Sequence, residues 1–140
     1  MSAVIVVGAL LVLALGLARA VTTIGQPTPR QMWAGSEPIT DELERARLMD
    51  IWWETYERID PADRIHHEPT LHWWIYQDAD IIPGGFLGYW THASRAIHVT
   101  RATIHNVQLI RHECAHDIMN QRSHPETYFS EGTYIMKQFR

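Results

Sequence analysis

Residues 3–18 of this 140-residue chain read AVIVVGALLVLALGLA, an apolar run with no charge before Arg19. A block of this kind at the N-terminus belongs in or across a membrane and not in the core of a small soluble domain. As a helix it would reach about 24 Å, somewhat short of a hydrocarbon core of about 30 Å, a gap that local thinning or flanking residues can close. Ala18-Arg19-Ala20 has the small-x-small form of a signal-peptidase site, which predicts removal of residues 1–20 and a mature chain starting at Val21. No Lys or Arg precedes the run, whereas Arg19 and Arg30 follow it, so an uncleaved membrane anchor is the alternative. Either way the chain is expected to be exported or membrane-anchored, in a periplasmic or extracellular setting. Residues 21–39 contain Pro27, Pro29, Pro38, Gly25 and Gly35 without helical or strand period, and are read as a linker. Residues 40–140 are then left to build one core.

Composition narrows what that core can do. Hydrophobic residues make up 46% and charged residues 20%, which suits a packed domain and not a disordered one. Lys and Arg total 12 against 16 Asp and Glu, a formal charge of −4, so there is no basic footprint for a phosphate backbone and nucleic acid is not an expected partner. The single cysteine, Cys114, excludes an internal disulfide framework and a zinc finger built on cysteine pairs. A metal in this chain must be held mainly by nitrogen and oxygen. Nine histidines make nitrogen plentiful.

The domain reads as α+β. Thr40, followed by Asp41, Glu42 and Glu44, predicts a helix start, because acids favour the positive end of the helix dipole. Leu48, Ile51, Trp52, Thr55 and Ile59 then recur at three- and four-residue spacing up to Asp60-Pro61, giving one core-facing stripe. Residues 71–76, 86–92 and 96–100 are short, aromatic and β-branched, and the last two are separated by a three-residue loop. A three-stranded antiparallel sheet is the economical arrangement. Over residues 104–120 the period is helical again, with Val107, Ile110, Cys114 and Ile118 as its apolar stripe and Thr103 as its predicted cap. Ser123, Pro125 and Glu126 predict a restart into a short C-terminal helix or turn carrying Tyr128, Phe129 and Tyr134.

Within the second helical segment, His112-Glu113-Cys114-Ala115-His116 is H-E-x-x-H. The four-residue step puts both imidazoles on one helical face, close enough to share one zinc ion, with Glu113 beside the metal as a general base toward a metal-activated water. Such a site hydrolyses peptide bonds. Cys114 falls on the apolar stripe and is read as buried packing. A catalytic zinc needs a third protein ligand. His124, just past the helix end, is the first choice; Glu131 is its rival, and His98 and His105 are weaker candidates. His66, His67, His72 and His92 have no ligand spacing. Tyr128 and Tyr134 are the candidates for stabilising the oxyanion. Asp117 is a possible outer-shell partner pointing to another side of the helix.

These residues resemble the zincin metallopeptidases, in particular small single-domain exported members whose zinc helix is soon followed by a His-Pro step. The resemblance is carried by Ile110-Arg111-His112-Glu113-Cys114-Ala115-His116-Asp117, then His124-Pro125 and Tyr128-Phe129, preceded by Tyr89-Trp90 and Ala96-Ile97-His98-Val99. It covers roughly residues 71–130 and implies a zincin-like fold, zinc at His112 and His116, Glu113 as base, and peptide or protein substrates paired with an edge strand. Met119 and Arg122 stand where the metzincin pattern has its glycine and third histidine, so the third ligand does not carry over from that group. A reading from another class is a membrane-tethered module, without catalysis, whose histidines bind metal only to hold the C-terminal turn.

Overall fold

The computed structural model describes residues 34–78, 82–130 and 136–137. The apolar run and residues 21–33 of the predicted linker lie outside these. Helix α1 spans Glu42–Arg58 and is capped by Asp41, one residue later than the sequence suggested, whose carboxylate accepts the Glu44 N–H at 2.7 Å. Asp competes well with Thr for this role because its charge also meets the helix dipole. Leu48, Ile51, Trp52 and Thr55 are buried along one face, and Ile59 follows them into the core. A 3₁₀ turn, Pro61–Asp63, ends the run where Asp60-Pro61 was expected to stop it.

Four strands form one sheet: β1 Ser36–Pro38, β2 His72–Tyr76, β3 Gly88–Thr91 and β4 Ala96–Thr100, in the order β1-β2-β4-β3. The β3–β4 hairpin is antiparallel, with Trp90 opposite Ile97, as its short loop requires. The rest corrects the all-antiparallel expectation. β2 runs parallel to β4, Trp74 opposite His98, so β3 is displaced to the edge and the sheet is mixed. Alternating side chains mark strands but not their neighbours or direction; the segment from β2 to β4, which contains β3, is long enough to cross over. The linker reading also ends early. Ser36–Pro38 adds antiparallel to β2 at the other edge, a place where Pro38 costs no ladder bond to a further strand.

Helix α2 spans Val107–Met119 and is capped by Asn106, whose side chain accepts from Leu109 N at 3.2 Å. Thr103, the predicted cap, instead holds the preceding turn, accepting from Thr100 N at 3.0 Å and donating to Leu87 O at 2.9 Å. Both helices cover one face of the sheet. Trp73, Ile75, Trp90, Ile97 and Val99 from the strands meet Leu48 and Trp52 of α1 and Ile110, Cys114 and Ile118 of α2 in one core. The predicted C-terminal helix is not seen among the described residues. Tyr128 N and Phe129 N both donate to Pro125 O at 3.0 Å, making a single turn, after which Phe129 bridges Met136 in antiparallel fashion. The two bridged residues are both buried and apolar, and residues 131–135 between them lie outside the described residues. Among the described residues no helix is long and apolar enough to cross a membrane.

Ile97 lies fully buried on a central strand between both helices, so Ile97→Ala should destabilise the fold by about 2–5 kcal/mol. Leu43→Ala, on the exposed side of α1, should stay within about 0.5 kcal/mol. Urea midpoints of the two variants measure the contrast.

Candidate metal centre

Helix α2 carries His112 and His116 one turn apart, with Nε2 atoms 3.0 Å from each other. The third member comes from how α2 ends. Asn120 adopts a left-handed conformation, φ 52 and ψ 40, and turns the chain back along the helix. Gln121 is then tied to His116 twice: its N–H donates to the His116 carbonyl at 3.1 Å, and its carbonyl accepts the His116 Nδ1–H at 2.7 Å. Three residues later His124 Nε2 stands 3.1 Å from His112 Nε2, and the three donor atoms all lie within 4.8 Å of one another. His124 therefore stands beside the pair, in a cluster that could hold a metal ion.

The donor chemistry fits a metal ion. A carbonyl can only accept, so the Gln121 bond fixes the proton of neutral His116 on Nδ1 and leaves a lone pair on Nε2. With Nε2 of His112 and His124 unprotonated as well, three lone pairs would meet at distances that suit a positive charge between them. Metal–imidazole bonds of about 2.0–2.1 Å in a tetrahedral site set donors about 3.3 Å apart, close to the 3.0 and 3.1 Å that separate His112 Nε2 from the other two. Burial pulls His116 down to about 4, against the opposing Gln121 bond, so the ring is neutral and able to offer its lone pair near neutral pH. Phe129 packs on all three rings, with centroids 4.9 Å from His112, 5.5 Å from His116 and 5.0 Å from His124.

Glu113 lines the same cavity of about 200 Å³ but stands outside the donor cluster. Burial pushes its carboxyl up to about 8, moderated by a hydrogen bond from the Trp90 backbone. Gly88 explains how an edge strand comes so near. A Cβ there would sit 3.1 Å from Glu113 Oε1 and 3.2 Å from Leu109 Cγ, so a larger residue would require these side chains to give by a few tenths of an ångström where β3 presses on α2.

Asp117 is the residue whose importance sequence reasoning missed. It is fully buried, and its carboxylate accepts from Trp52 Nε1 at 3.0 Å, Trp90 Nε1 at 3.2 Å, Arg95 Nε at 3.0 Å and the Arg95 guanidinium NH2 at 2.7 Å. Trp90 in turn lies flat against His116, 6.1 Å between centroids and 17° between planes. Arg95, at φ 46 in the hairpin turn, also donates to Thr70 Oγ1 and to Glu68 O. The available signal was an acid directly after the second histidine, together with indole donors elsewhere in the chain.

Other candidates are placed elsewhere. The Tyr128 hydroxyl donates to Asp63 Oδ2 and accepts from Asp60 N, which commits it to the turn after α1 and corrects its candidacy as an oxyanion donor. Cys114 is buried with its thiol pushed well up by burial, as packing predicts. His98 is buried between the Trp74 and Tyr76 rings on the sheet face away from the helices, and His105 is exposed. His66, His67, His72 and His92 are outside the cluster. Glu131 and Tyr134 lie outside the described residues. A larger cleft of about 790 Å³, bordered by β1, the start of α1 and the turn around Arg101, brings no such donor cluster together. Compared with protein-family models, curated proteins and solved structures, the chain matches none.

In the metal-free protein the shifted groups set a pH profile. Between about pH 4 and 6.5 the unfolded chain binds protons at His98 and His116 that the folded chain refuses, so stability rises with pH. From 4.5 to about 8 the folded chain keeps the Glu113 proton that the unfolded chain loses, so this group alone makes stability fall as pH rises. Two imidazoles outweigh one carboxyl in the overlap. The apo-protein should therefore be most stable near pH 6.5 and weaken toward pH 8. Denaturation in chelator across this range checks the profile, and Glu113→Gln should flatten its alkaline side.

Proposed function

We propose that this chain is an exported or membrane-anchored, zinc-dependent peptide hydrolase, with zinc held by His112, His116 and His124 and Glu113 as general base. The observation that carries this reading is a buried carboxylate in the same small cavity as three convergent imidazole nitrogens, yet not one of the donor cluster. When bound, zinc supplies Lewis-acid polarisation of the peptide carbonyl and acidifies water. Everything else falls to the chain's own side chains. Burial alone keeps Glu113 protonated up to about 8, and a cation held beside it would favour the ionised form, in which it accepts the proton of the attacking water and passes it to the amine nitrogen as the carbon–nitrogen bond breaks. Trp90 N–H holds the carboxylate in place. The substrate backbone pairs with the outer edge of β3, whose residues Gly88, Tyr89 and Trp90 border the cavity.

A module that used metal only to hold its C-terminal turn would have no need of Glu113. Glu113→Gln should keep stoichiometric zinc and lose peptide cleavage by about 10²–10⁴-fold; an unchanged cleavage rate would overturn the enzymatic reading. His124→Ala should weaken zinc binding by more than the roughly 10–100-fold expected for losing an outer-shell partner, and more than Glu131→Ala does. The reverse ranking in zinc titrations would move the third ligand to Glu131.

A further inference from the structure

The cavity beside the candidate metal donors is lined by residues beyond the three histidines and Glu113. Phe86, Tyr89 and Trp90 line it on the β3 side, Phe86 and Tyr89 with ring centroids 5.1 Å apart, and Arg122 lines it from the loop after α2. Arg122 is exposed, and among the described residues no carboxylate pairs with it. Its backbone is nonetheless held on both sides. The residue before it is doubly bonded to His116, and two residues after it His124 reaches the donor cluster. The nearest acid in the cavity, Glu113, is held by the Trp90 backbone. A guanidinium carried on this anchored stretch of backbone, bordering a cavity that also holds three imidazoles and aromatic rings, suits a planar carboxylate that it can grip through two parallel N–H bonds.

We propose that Arg122 anchors a substrate carboxylate next to the scissile bond, which makes the chain selective for peptides carrying an acidic group there. The group is either an Asp or Glu side chain or the free C-terminus of the peptide. This assignment rests on the hydrolase reading, and it makes Arg122 a specificity determinant that takes no part in proton transfer.

The test uses the zinc-loaded full-length chain and two pairs of otherwise identical peptides. One pair has Asp or Asn flanking the cleaved bond with an amidated C-terminus; the other has no acidic side chain and ends in a free acid or an amide. In at least one pair the carboxylate peptide should be cleaved with kcat/KM higher by about ten-fold or more, carried by KM, as one charge-assisted hydrogen-bonded pair provides. The pair that discriminates identifies the source of the carboxylate. Arg122→Gln should bring the ratio to about one, Arg122→Lys should keep part of it, and Arg122→Glu should invert it. Equal cleavage within both pairs, or a preference that survives Arg122→Gln, would overturn the proposal. Failure of the wild-type chain to cleave any peptide overturns the hydrolase reading instead. Binding of the same peptides to the Glu113→Gln protein then decides Arg122 separately: tighter binding of the carboxylate peptides, lost in the Arg122→Gln, Glu113→Gln double variant, supports it, and equal binding refutes it.

Discussion

A buried carboxylate holds this fold together. Asp117 sits at the level of His116 on α2, shielded from water, and takes hydrogen bonds from a tryptophan of α1, a tryptophan of β3 and an arginine of the β3–β4 turn. A charge out of water is tolerated only when it is paired and its lone pairs are filled, and removing one partner of such a pair costs about 3–5 kcal/mol. The three elements must therefore be in place together or the carboxylate is left exposed to its own desolvation cost. The positive φ of Arg95 belongs to the same demand, since the turn is bent in the way that points its guanidinium inward while its other donors are taken up by Thr70 and Glu68.

Trp90 carries that constraint to the metal donors. One side chain and its backbone make three separate ties: the indole N–H to Asp117, the ring face to His116, and the main-chain N–H to Glu113. β3 is an edge strand of the sheet, so these ties all run from one margin of the fold. An indole held at one end by an ionic hydrogen bond has little rotamer freedom, so the ring stacked on it loses freedom too. Phe129 does the same from the opposite direction, touching all three imidazoles.

Much of this was legible in the residue order because it is local. The stripe of Leu48, Ile51, Trp52 and Thr55, the β3–β4 hairpin, and the pairing of His112 with His116 each depend on a period or a loop only a few residues long. His124 was within reach of the same logic, lying just past a helix end. What stayed hidden is what long-range packing decides. Nothing in residues 71–100 encodes that β2 should meet β4 in parallel, because side-chain alternation is the same for either direction. Ser36–Pro38 looked like linker since three prolines and two glycines precede or end it, yet an edge strand needs only one partner. Asp117 looked misdirected because a helical wheel shows which face it occupies but not which donors arrive there from α1 and from the hairpin. Tyr128 looked catalytic by its distance along the chain, while its hydroxyl is spent on Asp60 and Asp63.

The loop after α2 shows how a few residues serve structure and chemistry at once. Asn120 has the one side chain nearby that accepts a left-handed backbone readily, and by ending the helix there it returns the chain toward the face that carries His112 and His116. The return is too short to wander. Gln121 spends its carbonyl on His116, which fixes the tautomer that a metal requires, and its N–H on the last helical turn. His124 then arrives against His112 with no room for a different register, because Phe129 already packs on the rings from beyond. Arg122 lies between these two fixed points, so its placement at the cavity follows from the geometry that completes the donor set. In this short segment, ligand convergence and cavity charge are consequences of the same backbone reversal, and neither could be altered by lengthening the loop without disturbing the other.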